Sequence, residues 1–266
     1  MPGWRLWALP LLSSLLVSAA HAEDWPQLRL CYESQDLSPY TSTPSGAAAE
    51  HPGLVVELIE QAARSAELQL VLHRQPWKRC VHEVRQGASD GLFVAVWWAD
   101  RDAWGRFPGR SMDGQTPVDP GRSLWPADYR VIVRPDSPLQ WDGQRFQGII
   151  HGVGAPLGYA VSQYLQSLGV LTHESLAPAT ALKMVVAGRL DGYALETELG
   201  LALIKREGLQ GQLVQLPTPV VQAHWYLPLS HQFYAAHPER AERLWQAIGE
   251  QREQRADELR QRYLGR

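Results

Sequence analysis

Residues 54–97 read LVVELIEQAARSAELQLVLHRQPWKRCVHEVRQGASDGLFVAVW, and the order of periods inside this stretch sets the fold class. Leu54, Val55, Leu58, Ile59, Ala62 and Ala63 recur at helical spacing behind Pro52-Gly53, which predicts an amphipathic helix. The apolar run 68–72 reads as a strand. Val81, Val84 and the break at Gly87 predict a second helix, and Gly91-Leu92-Phe93-Val94-Ala95-Val96-Trp97 reads as a buried strand. Upstream, beyond a Ser/Pro/Thr-rich loop over 34–52, Leu28-Arg29-Leu30-Cys31-Tyr32 is a further strand. Strand, helix, strand, helix, strand predicts a parallel sheet with helices on its faces, an α/β fold.

Downstream the pattern stops and then starts again. Residues 108–126 are rich in Gly, Pro, Asp and Ser, 129–133 read as a strand, and a turn-rich stretch runs through Gly143. A second alternation follows: a strand over 148–153, helices over about 157–168, 180–187 and 198–206, and strands over 192–195, 213–216 and 225–229. The charged region 238–264, with Leu244, Ile248, Leu259 and Tyr263 as its apolar stripe, reads as helix with a solvated face. Two lobes are expected.

The N-terminus carries its own signal. Arg5 precedes an apolar run over 6–19 that ends in Ala20-His21-Ala22. A charged start, a core of about 7 to 15 apolar residues and an A-x-A site are what a cleavable export signal requires, and the run is shorter than the roughly 20 residues of a spanning helix. Residues 1–22 are therefore expected to be a signal peptide, and the mature chain a protein of the periplasm. About 240 residues remain, enough for two modest domains.

The whole chain has 25 Lys and Arg against 28 Asp and Glu, a net charge of −3, and loss of Arg5 with the leader takes it to about −4. Charges of both signs are mixed throughout, so no nucleic-acid partner is expected. The two cysteines, Cys31 and Cys80, are a disulfide candidate in an oxidising compartment, where closing a loop of about 50 residues would stabilise by roughly 4 kcal/mol. Two buried free thiols are the alternative.

Motifs of common chemistries are missing: no G-x-S-x-G, no H-E-x-x-H, no C-x-x-C and no phosphate-binding P-loop. The nine His are scattered, without the spacing of a metal site. Gly152-Val153-Gly154-Ala155-Pro156-Leu157-Gly158 falls between a predicted strand and helix, but its last Gly is one residue late for a dinucleotide fingerprint. Backbone N–H groups there, at Gly154 and Ala155, could instead receive a carboxylate at a helix start. No cofactor, no metal and no catalytic residues are expected.

Four segments in order, Pro52-Gly53-Leu54-Val55-Val56-Glu57-Leu58, Gly87-Ala88-Ser89-Asp90-Gly91, Asp100-Arg101, and Gly188-Arg189-Leu190-Asp191-Gly192 with Glu196, resemble the family 3 extracellular solute-binding proteins of ABC transporters. The likeness in order and spacing covers nearly the whole mature chain. It implies a two-lobed type II periplasmic binding fold with two crossing segments, expected near 130–134 and 222–225. One lobe is then 23–129 with 226–266, the other 130–225, and the ligand lies in the cleft between them.

The resemblance implies that Arg101 grips a ligand carboxylate, to which a guanidinium can donate two parallel hydrogen bonds. It also implies that Glu196 holds an ammonium, and it makes Tyr40, Trp77, Trp97 and Trp98 the aromatic candidates. Bland roles stand beside these: Arg101 pairing with Asp100 or Asp102, Glu196 capping the helix after it, and Trp77 or Trp98 as core. The family's hydroxyls before the Arg and at the start of the second lobe's helix are absent, replaced by Val96-Trp97-Trp98-Ala99 and Gly154-Ala155-Pro156-Leu157, which favours a ligand with a flat or apolar portion. The implied function is delivery of a small polar, amino-acid-like solute, by a monomer, to an inner-membrane ABC permease. Two other classes remain open: an enzyme on the same fold, resembling the periplasmic cyclohexadienyl dehydratases, and a ligand sensor for a membrane receptor.

Overall fold

The computed structural model describes residues 25–42, 51–111, 113–172 and 177–265. The signal peptide expected over 1–22 lies outside them. No helix among the described residues is long and apolar enough to cross a membrane.

The first sheet is the predicted parallel one. Its central strand β1 (Gln27–Glu33) pairs in parallel with β2 (Gln69–Gln75) and with the short β3 (Gly91–Leu92). Helix α1 (Leu54–Ser65) joins β1 to β2 and buries the apolar positions read from its spacing, with Val56. Gly53 starts it at φ 113°, where a Cβ would lie 2.4 Å from the Tyr40 carbonyl oxygen, so only glycine fits. Helix α2 (Trp77–Arg85) follows β2 and turns Trp77, Cys80 and Val84 inward. Cys80 there is bonded to Cys31 of β1, with Cα atoms 5.3 Å apart, so the disulfide alternative is the one observed.

The strand expected over 91–97 is broken in two. After β3 the chain kinks at Val94, whose φ of 65° is left-handed, and resumes as β4 (Ala95–Val96) in a different sheet. A β-branched residue in that region is strained by order 1–3 kcal/mol, and periodicity carries no sign of it.

The second sheet is built around two long antiparallel strands, β5 (Trp125–Val133) and a later partner, Val221–Tyr226. Strand order is β4, Val221–Tyr226, β5, Gly192–Glu196 and Val153–Gly154, with Val214–Gln215 also on β5. A small hairpin, β6 (Gln140–Trp141) with β7 (Phe146–Gln147), stands apart. In chain order the remaining elements are β8 (Val153–Gly154), α3 (Ala160–Ser167), α4 (Pro178–Val186), β9 (Gly192–Glu196), α5 (Thr197–Arg206), β10 (Val214–Gln215), β11 (Val221–Tyr226), α6 (His231–Ala236) and α7 (Pro238–Leu259). The segments expected as crossings, 130–134 and 222–225, overlap β5 and β11. The last strand, expected over 225–229, runs over Val221–Tyr226 and stops short of Pro228, which has no N–H for a ladder.

Helix α3 likewise starts at Ala160 rather than near 157, since Pro156 to Tyr159 form a turn with Gly158 at φ 81°. One apolar core under the first sheet includes Leu28, Leu30, Leu58, Ile59, Leu244 and Trp245. Another, with Ile132, Leu182, Val185, Tyr193, Leu203 and Ile204, lies between β5 and β9 and helices α4 and α5.

Helix α7 closes the first body, with the Trp245 indole donating to the Leu227 carbonyl at 2.7 Å. Gly249 on it lies against backbone: a Cβ there would sit 2.2 Å from the Gly121 carbonyl oxygen. Alanine would favour the helix by about 1 kcal/mol, while forced overpacking costs typically about 1–3 kcal/mol. The atoms met are all backbone of residues 121–122, so the clash wins, and Gly249→Ala is expected to lose up to about 2 kcal/mol in urea unfolding. A gain in stability would show that α7 does not pack this closely on residues 120–123.

Candidate functional site

A cavity of about 20 Å³ lies past the carboxyl end of β1, in the position where open parallel sheets hold ligands. That is room for about one water molecule, so any larger guest requires the walls of the cavity to part. Tyr32 and Glu33 end β1 beside it; Trp77 comes from the first turn of α2, Val94 and Val96 from the kink and β4, Tyr129 from β5, and Tyr159 and Ala160 from the start of α3.

Arg101 lines the cavity and is only 5 % exposed. It sits in the single-turn helix Ala99–Ala103 that follows β4. Its Nη1 donates to the Val96 carbonyl at 2.9 Å and its Nη2 to the Gly158 carbonyl at 3.2 Å, just before α3. The guanidinium stands 5.7 Å from the Trp77 ring centroid. Burial lowers its pKa, with Asp100 acting against that shift. Among the described residues it forms no ion pair: Asp102, one of its suggested partners, pairs with Arg110, and Asp100 accepts from Gln163 at 3.4 Å. Arg101 is therefore a buried cation satisfied by carbonyl oxygens alone.

Tyr40 and Glu196 meet each other next to this cavity without lining it. The Tyr40 hydroxyl donates to Glu196 Oε1 at 3.1 Å, and the Leu199 amide donates to Oε2 at 3.0 Å, so Glu196 caps α5. Glu196 is 3 % exposed. Burial pushes its pKa up to about 7, against the opposing pull of its hydrogen bonds. Tyr40 packs edge-on against Trp225 at 4.7 Å, and burial raises its pKa strongly. Tyr129, paired with Glu196 across β5 and β9, accepts from the Trp225 indole at 2.8 Å.

The other expected residues are elsewhere. Trp98 lines a separate groove with Trp97, Val118 and His224, and its buried indole nitrogen has no partner among the described residues. Gly154 is in β8, where a Cβ would lie 2.7 Å from the Tyr193 ring, and Ala155 packs into the core. Because α3 begins five residues after Ala155, these two amides are not at a helix start. The structure thus brings Arg101 and Trp77 together and adds Glu33, Thr41, Tyr129 and Tyr159. Glu33 had one available signal, an acidic residue following the apolar Leu30-Cys31-Tyr32 at the carboxyl end of its strand; Tyr159 had none.

The metal-type ligand cluster among the described residues, Cys31, His73 and Glu83, has its sulfur committed to the disulfide. Ser89, His73 and Glu83 do not form a catalytic triad, since the Ser89 hydroxyl and the Glu83 carboxylate both contact the same His73 nitrogen, Nε2.

No family model and no curated protein sequence matches the chain. Solved structures do match. A histidine kinase sensor domain with similarity to periplasmic binding proteins aligns at 18% identity over 90% of this chain and 96% of its own, with a TM-score of 0.69. The arginine-, lysine-, histidine-binding protein ArtJ of Geobacillus stearothermophilus aligns at 12% identity over 90% and 96%, with a TM-score of 0.68. The GluR0 ligand-binding core of Nostoc punctiforme, in complex with L-glutamate, aligns at 14% over 91% and 100%, with a TM-score of 0.67. At such identities the likeness is one of architecture: this chain has the two-lobed α/β fold of the type II periplasmic binding proteins.

Proposed function

We propose that this chain is an exported, periplasmic, monomeric solute-binding protein, not an enzyme, that holds a small carboxylate-bearing molecule in the cleft between its lobes for an ABC permease. Its lobes are 23–129 with 226–266, and 130–225. The observation that carries the reading is Arg101: a guanidinium 5 % exposed, facing a cavity, with no carboxylate partner among the described residues. Buried charges are normally paired, and a ligand carboxylate is the partner this one lacks. The solved structures named above support the reading through their fold, since two of them are described with amino-acid ligands.

Bonds that span the two bodies fit a cleft that closes. Arg101 reaches Gly158, Tyr40 reaches Glu196, and Arg206 pairs with Asp36 at 3.0 Å. A thermal-shift screen of the refolded mature protein against amino acids and organic acids tests the reading. A ligand at 100 times its Kd adds about 2.7 kcal/mol and raises the midpoint visibly. Arg101→Met is expected to weaken binding of any hit by about 10- to 100-fold, the worth of one charge-assisted hydrogen bond. A hit whose affinity survives that substitution would place the ligand away from Arg101.

A further inference from the structure

The cavity that Arg101 lines holds one other charged side chain, Glu33, which is 7 % exposed. Its Oε1 accepts from the Ser34 hydroxyl at 3.1 Å and from the Gln35 amide at 3.0 Å, and its Oε2 accepts from the Trp77 amide at 3.2 Å. All three donors are neutral, and no cation pairs with the carboxylate among the described residues. Trp77 is the first residue of α2, so the carboxylate sits against that helix start. A carboxylate accepts about four hydrogen bonds, so Glu33 retains capacity for another donor.

Thr41 gives a second, independent observation. It lines the same cavity, is 1 % exposed, and its hydroxyl oxygen has no hydrogen-bond partner among the described residues. A buried hydroxyl left unsatisfied is costly, and the space it borders is the cavity.

Arg101 and Glu33 are thus opposite charges on one cavity, each without a counter-charge among the described residues, and the walls between are largely aromatic: Tyr32, Trp77, Phe93 and Tyr159. The complement of such a site carries both charges itself. Glu196 is not placed for the cationic end, because it does not line the cavity. We infer that Glu33 and Thr41 form the cation-binding pole of this cavity. The ligand is then a compact dipolar ion whose carboxylate meets Arg101 and whose cationic nitrogen meets Glu33, not Glu196. This rests on the solute-binding reading and specifies its ligand class.

Calorimetric titration with matched probes separates the two claims. L-alanine is compared with propionate, and L-phenylalanine with 3-phenylpropionate; each pair differs in the ammonium group. The parent protein is expected to bind at least one dipolar probe about tenfold or more tightly than the matched carboxylate that lacks the ammonium group, the margin of a charge-assisted bond. Glu33→Gln keeps an oxygen for the Trp77 amide and should erase that margin. Thr41→Val should narrow it several-fold while melting no lower than the parent, and Glu196→Gln should leave it intact. If Glu33→Gln fails to fold by circular dichroism, the Thr41→Val margin decides. A margin that survives Glu33→Gln and Thr41→Val, or that disappears in Glu196→Gln instead, overturns the Glu33 pole but leaves Arg101 as the carboxylate site. Propionate or 3-phenylpropionate binding as tightly as its partner does the same. Binding of no probe at all removes both readings.

Discussion

A Cys31→Ala, Cys80→Ala double variant is expected to unfold with about 4 kcal/mol less free energy than the parent protein. The two sulfurs close a loop whose ends are 49 residues apart, and the bond acts by restricting the unfolded chain. Both cysteines are fully buried, so alanine is the right replacement: serine would add two buried hydroxyls and confound the result. The two cavity-sized losses on shortening each side chain act in the same direction and are smaller. The urea midpoint of the variant, compared with that of the parent with and without reductant, measures the effect. A loss below about 1 kcal/mol would mean that the unfolded chain is already confined in this region, against the chain-entropy account. The bond also fixes α2, and with it Trp77, to the strand that ends in Glu33, so that a slackened loop should loosen the cavity wall before the fold fails.

Glu196→Gln is expected to change how stability depends on pH. Burial raises the Glu196 carboxyl from its ordinary 4.5 to about 7, so the folded protein retains a proton that the unfolded chain releases. Stability from this source is fully present below pH about 4.5, declines above it, and is lost as pH rises through about 7; the swing is about 3 kcal/mol. Glutamine keeps an oxygen for Tyr40 or for the Leu199 amide and cannot ionise. The variant should therefore be flatter than the parent between pH 5 and about 7, with the difference curve isolating this one group from the titration of all others. Parallel curves for the two proteins would show that Glu196 is not desolvated as its burial implies. Since Tyr40 follows β1 of the first sheet and Glu196 ends β9 of the second, the same comparison run on ligand affinity reports whether the proton favours their approach.

What could be read in the sequence was whatever is local. The face of α1 follows from the spacing of Leu54, Leu58, Ile59 and Ala62, and the parallel pairing of β1 with β2 follows from a strand, helix, strand order that leaves few other topologies. The second sheet was not legible in the same way, because β5 and β11 are about 90 residues apart and only long-range pairing makes them neighbours. The break at Val94 was hidden by composition: Phe93, Val94, Ala95 and Val96 suit a strand, and tertiary packing overrides that preference. Arg101 and Trp77 were expected through the family resemblance, and both line the cavity. Glu196 could not be assigned in advance, since a carboxylate just before a helix serves equally as a cap or a ligand group, and the difference is where its two oxygens point. Thr41 and Tyr159 depend on which loops meet, and nothing in their neighbours announces it.

The kink at Val94 has a mechanical side. Phe93 and Val94 are the only residues between β3, which belongs to the first sheet, and β4, which belongs to the second. Both also line the cavity. The chain therefore passes from one sheet to the other at the cavity wall itself, so a guest in the cavity would touch the two residues that set how the sheets are joined.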